Sequence, residues 1–143
     1  MAILDKLLEY SDKQVITATA VSTNVVDAGA TKNPAIGRDL GAGDQLFLYV
    51  NVSTTMTAAG AATLTVALQD SADNSSWQDI AVSGALPVAD LVAGKVVQLG
   101  LPTPTRRYTR VNYTVATGPM TAGAISAHLV DGLNYPFAYP DNL

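Results

Sequence analysis

Over residues 107–115 apolar and polar side chains alternate, with Val111, Tyr113 and Val115 on one side and Tyr108, Arg110, Asn112 and Thr114 on the other. A period of two is what a half-buried strand requires. A second alternating run sets Ile125, Ala127 and Leu129 against Ser126 and His128, and Gly118, Pro119 and Gly123 break the pattern between the two. Two such runs separated by turn formers predict a long hairpin over residues 107–130, the most strongly specified element of the chain.

The same alternation recurs upstream. Residues 14–21 set Val15, Thr17, Thr19 and Val21 against Ile16, Ala18 and Ala20, and residues 24–26 add a short second piece. In residues 44–53, Leu46, Leu48, Val50 and Val52 face one way and Phe47, Tyr49 and Asn51 the other. Apolar side chains on both faces predict a central strand or one covered by a partner. Leu64, Val66 and Leu68 mark a further strand over residues 63–69. Asp70, Ser71, Asp73 and Asn74 then form a turn, and Trp77 is expected to return the chain to the core. Residues 86–92 and 95–99 are further strand candidates, split by Ala93 and Gly94.

Three stretches depart from this pattern. Ile3, Leu4, Leu7 and Leu8 recur at helical spacing opposite Asp5, Lys6 and Glu9, which makes residues 1–10 a short amphipathic helix or arm. Helices below about 12 to 15 residues rarely persist alone, so the arm must dock on its own core or on a neighbouring subunit. Residues 27–43 hold four glycines and one proline in a polar frame and read as an ordered excursion. Residues 132–143 carry Tyr135, Phe137 and Tyr139 between Pro136 and Pro140, an extended strap that pairs poorly in ladders.

About eight short strands with turns between them predict an all-β fold, an antiparallel two-sheet β-sandwich with jelly-roll topology. The divisions are an arm over residues 1–12, a sandwich over 13–131 and a tail over 132–143. The 143 residues suffice for one real core, since a domain of this size buries about 70% of its unfolded surface.

Composition narrows the function. There is no cysteine, which excludes a disulfide framework and any cysteine-held zinc or iron-sulfur site. A net charge of −4 disfavours nucleic acid as a partner, and Arg106, Arg107 and Arg110 form the one basic cluster. Asp5, Lys6 and Glu9 interrupt the amino-terminal apolar residues before an export-type hydrophobic region forms, and no run is long enough for a membrane helix.

Candidate chemistry is sparse. With one His, one Glu and no Cys the usual nucleophile and base pairs are absent, no catalytic motif is found, and the expectation is a protein without catalytic role or cofactor. His128 has no identifiable second ligand or orienting group, so a polar strand position explains it. Asp70, Asp73 and Asp79 could hold calcium, but their spacing is not that of an EF-hand and turn formation accounts for the same residues. The arginines could meet a partner's carboxylates or phosphate, or could protect a strand edge. Trp77 and the tyrosines could form a sugar platform, although a lone Trp is expected in the core.

Several of these pieces, in order, resemble the capsid cement (decoration) proteins of certain tailed bacteriophages. They are the Ile-Leu-Asp-Lys-Leu-Leu arm at residues 3–8 with Ser11-Asp12, the Asn-Val-Val-Asp piece at 24–27 and the Arg-Asp-Leu-Gly turn at 38–41. The strand and Asp turn at 63–73 and the Arg-Tyr-Thr-Arg-Val-Asn-Tyr-Thr-Val strand at 107–115 complete the pattern. The resemblance implies a jelly-roll protein, made in the host cytoplasm, that binds the outer surface of an icosahedral head. There it would reinforce contacts between major capsid protein subunits. It also implies self-association, with a dimer expected ahead of a trimer.

On this reading Ile3, Leu4, Leu7 and Leu8 of the arm and Tyr135, Phe137 and Tyr139 of the tail are the expected clamps. Arg106, Arg107 and Arg110 would add polar contacts. The alternatives are a carbohydrate-binding β-sandwich and another phage structural subunit, of a tail or head fibre.

Overall fold

A chain rich in β-branched residues and poor in charge folds into strands wherever its apolar residues alternate. The computed structural model describes residues 6–27, 45–102 and 105–131. A 3-10 turn at Lys6–Leu8 leads into β1 (Glu9–Val15), β2 (Ala20–Val21), β3 (Val26–Asp27), β4 (Leu46–Ala58) and β5 (Thr63–Ser71). After β6 (Gln78–Pro87) a second 3-10 turn, Val88–Asp90, precedes β7 (Val96–Gly100), β8 (Tyr108–Ala116) and β9 (Met120–Asp131). No helix among the described residues is long and apolar enough to cross a membrane.

The strands form two antiparallel sheets. One has the order β1-β9-β4-β7, and the other the order β2-β8-β5-β6 with β3 also paired to β8. Leu48, Val50 and Val52 of β4 and Ile125, Ala127 and Leu129 of β9 line the inner face of the first. Leu64, Val66 and Leu68 of β5 meet them from the second, with Val111 and Tyr113 of β8. All are buried, and their alternation is the one the sequence shows. β4 lies between β9 and β7, as its two apolar faces predict.

The expected hairpin over residues 107–130 is not one. Its two strands lie in different sheets, β8 paired with β2, β3 and β5, and β9 with β1 and β4. Thr117 and Gly118, at φ 63° and 102°, turn the chain as it steps across the sandwich. The two apolar faces therefore meet across the core.

Other corrections concern the edges. The helical spacing read over residues 1–10 gives way at Glu9, where β1 begins pairing with β9. The strand expected over 14–21 is split, because β1 ends at Val15 and the chain bends before β2; Val15 is exposed and Ile16 buried. The strand expected over 86–92 ends at Pro87. Residues 28–44 and 132–143 lie outside the described residues, and with them most of the expected excursion and the whole expected tail.

Candidate functional site

The arginine cluster has only Arg110 on a strand, and because β8 runs through the middle of its sheet Arg110 protects no strand edge. Its three members are held in three different ways. The Arg106 backbone N–H donates to Oδ2 of buried Asp70 at 3.1 Å, and its guanidinium donates to Gln78 Oε1 at 2.7 Å. Arg107 forms a bidentate pair with Asp27 at 2.9 and 3.0 Å and lies over the Tyr108 ring, 4.8 Å from its centre. The Asp27 carboxylate raises the Arg107 pKa.

Arg110 is different. Its Nε donates to Gln69 Oε1 at 2.9 Å, and Gln69 Nε2 donates in turn to Asp79 Oδ1 at 2.7 Å. The strand register sets Arg110, Gln69 and Asp79 in one row across β8, β5 and β6, so alternation puts all three on the outer face. The Arg110 guanidinium lies 4.1 Å from the centre of the Trp77 ring, a cation–π contact. Trp77 is thus half-buried beneath an arginine and lies outside the core that was expected for it. Partial burial lowers the Arg110 pKa.

The outer face of the other sheet has a different chemistry. Glu9, His128, Tyr49 and Gln98 form one row across β1, β9, β4 and β7, and Phe47 and Val130 stand beside each other in a neighbouring row. The His128 and Tyr49 rings are 5.3 Å apart. Burial pushes the His128 pKa down against the opposing effect of the Glu9 carboxylate, and it pushes the Tyr49 pKa up. Glu9 is buried and ion-paired with Lys6.

Of the four expected arm residues, Leu7 and Leu8 are described. Leu8 packs on the core, whereas Leu7 is 48% exposed and lines an open groove of about 490 Å³ with Lys6, Glu9 and residues 23–27. Ile3, Leu4, Tyr135, Phe137 and Tyr139 lie outside the described residues. Asp73 closes the turn after β5, accepting from the Ser71 hydroxyl and from the Ser75 and Ser76 amides, which together hold its carboxyl below the usual range. Asp70, Asp73 and Asp79 do not converge, and among the described residues no cluster of three or more His, Cys, Asp or Glu is placed to ligate a cation.

A family model, Bbp16, matches residues 10–129. The chain belongs to the Bbp16 family. The match begins in β1 and ends in β9, so it spans the sandwich formed by the described residues. It is consistent with a phage-associated protein. No curated protein matches the chain.

Sequence reasoning found the arginines but not Gln69 and Trp77 as partners of Arg110, nor Asp79 as the partner of Gln69. It also missed two ties between the sheets, Tyr10 to Thr109 at 2.7 Å and Ser11 to Tyr113 at 2.8 Å. The first group depends on register, since only the pairing of β5 with β8 sets Gln69 opposite Arg110. Nothing in the alternation marks the second, because Ser11 sits beside a bulge around Lys13, at φ 48°.

Proposed function

We propose that this protein is a structural component of a phage virion, a cement protein that binds the outer surface of an icosahedral head and reinforces contacts between major capsid protein subunits. The observation that carries the reading is the placement of the pieces that resemble cement proteins. Residues 24–27 contain β3, residues 63–73 contain β5 and its turn, and residues 107–115 fall on β8, all within one sandwich and within the span shared with the Bbp16 family. The strand orders β1-β9-β4-β7 and β2-β8-β5-β6, with the chain crossing repeatedly between sheets, support a jelly roll.

The edges support attachment through faces and termini. β7 has five residues and β2 and β3 have two each. β1 is bulged at Lys13, and β6 at Ser83, whose hydroxyl accepts the Val66 amide. Short and bulged edges disfavour strand addition. The role is non-catalytic, the partners are the major capsid protein and further copies of the chain, a dimer ahead of a trimer, and the site of action is the head surface. Several modest contacts made together hold firmly on a lattice. The saccharide alternative has less support, because Arg110 already covers the Trp77 ring.

Co-sedimentation of the purified protein with undecorated heads tests the reading. Saturable binding is expected, and its absence would overturn it.

A further inference from the structure

Every cation of the arginine cluster is held in place, but only two of the three have an acid beside them. Arg107 pairs with Asp27, and Arg106 has Asp70, whose Oδ1 lies 3.9 Å from its Nε. Among the described residues no carboxylate lies within ion-pair distance of Arg110. Its Nε is taken by Gln69, and that amide is itself fixed by Asp79. Its guanidinium carbon lies over the Trp77 ring. The remaining donors are the two terminal NH₂ groups, held in one orientation on the outer face of the five-stranded sheet. A guanidinium whose Nε is occupied can still take a carboxylate end-on, through one N–H from each terminal nitrogen.

We infer that Trp77 and Arg110 are the anchor of a docking surface on the five-stranded sheet, and that the anchor receives an acidic side chain of a protein partner. That the partner is the capsid subunit rests on the cement reading; the carboxylate chemistry does not. A partly desolvated guanidinium without a counter-ion is an incomplete pair, and the planar carboxylate of Asp or Glu matches its fork. A nucleic acid or an anionic membrane is held by several cations along its phosphates, and here Arg106 and Arg107 already have Asp70 and Asp27 beside them, so a single guanidinium is left and it fits a single carboxylate. Trp and Arg are also the residue types that most often carry the energy of a protein interface. Gln69 and Asp79 are positioning residues, since they act by fixing the Arg110 Nε.

Trp77 is the sole tryptophan, so emission excited at the red edge of the absorption band, beyond the reach of the tyrosines, reports this site alone. The wild-type chain is titrated with a hexaglutamate peptide and with a hexaglutamine peptide. Hexaglutamate is expected to give a saturable change in emission that added salt suppresses, and hexaglutamine none. Arg110→Gln is expected to abolish the response. Arg110→Lys, which keeps the charge and stem but loses the fork, is expected to weaken it, with far-ultraviolet circular dichroism confirming that both variants fold. Equal responses to the two peptides, or a full response in Arg110→Gln, would overturn the inference.

Binding to undecorated heads separates the two levels. Arg110→Gln is expected to bind about tenfold more weakly than wild type, a usual scale for an interface anchor, with Lys95→Gln, at an exposed lysine before β7 of the other sheet, close to wild type. Wild-type and Arg110→Gln proteins that bind heads equally would remove the anchor and leave the cement reading standing. A wild type that responds to hexaglutamate but ignores heads would keep the anchor and remove the cement reading.

Discussion

The Tyr113 hydroxyl on β8 lies 2.8 Å from Ser11 Oγ on β1, and so ties the five-stranded sheet to the four-stranded sheet through the core. Ser11 Oγ donates to Gln14 Oε1 at 2.8 Å, which makes it the acceptor of the tyrosine proton. Removing one side of this bond is not the same as removing the other. Tyr113→Phe deletes the buried donor with its bond and costs about 1 kcal/mol. Ser11→Ala strands that donor in the core and costs about 1–3 kcal/mol, despite being the smaller change. Urea denaturation of the two variants checks the order, and a Ser11→Ala variant more stable than Tyr113→Phe would contradict it.

Two buried tyrosines also set the alkaline limit. Desolvation raises the pKa of Tyr10 and Tyr113 well above the ordinary tyrosine value. The folded state therefore keeps its phenol protons where the unfolded chain gives them up. The stabilisation is complete below the unfolded pKa of about 10 and is lost as pH rises from there towards the folded values. Stability should fall by about 1.4 kcal/mol per pH unit for each tyrosine above about pH 10. Urea midpoints at about pH 9 and about pH 11 should differ less in the Tyr10→Phe/Tyr113→Phe double variant than in wild type.

His128 sets an acid limit by the opposite sign. Burial lowers its pKa, so the unfolded chain takes up the proton first. The stabilisation is present above the unfolded value of about 6.5 and is lost as pH falls through the folded value. The fall in thermal midpoint between about pH 7.5 and about pH 5.5 should be smaller in His128→Gln, and an unchanged fall would contradict the assignment.

Gly123 is required by close approach of two strands. A Cβ there would lie 2.6 Å from Met56 Cγ and 2.9 Å from Met56 Cα, on a backbone at φ 136°. Gly123→Ala should cost about 1–3 kcal/mol. Met56→Ala should not rescue it, because the clash with the Met56 backbone remains. Rescue in the double variant, read by denaturation, would show that the side chain alone sets the limit.

Alternation made the strands legible, and it located the inward side chains of β4, β5, β8 and β9 correctly. It could not assign partners. A run such as 107–115 followed by 120–131 has the same pattern whether the strands lie side by side or face each other across a core. The left-handed Thr117 and Gly118 that carry the crossing look like any tight turn in sequence. β1 escaped notice because Asp12 and Lys13 bulge out of register. Trp77 was misplaced for a related reason. Its cation–π partner is Arg110, 33 positions along the chain and two strands away, and that contact exists only once β5, β6 and β8 are aligned. The arginines themselves were legible as a cluster, but the distinction between paired Arg106 and Arg107 and the acid-free Arg110 belongs to the folded sheet.

The cement role is tested most directly by the temperature at which undecorated heads rupture, measured with and without saturating purified protein. A protein that bridges capsid subunits binds the intact lattice and not the ruptured one, so it must raise that temperature by mass action. The predicted result is a saturable increase that disappears when the protein is omitted. Binding to heads with no change in rupture temperature, or no binding, would contradict the role.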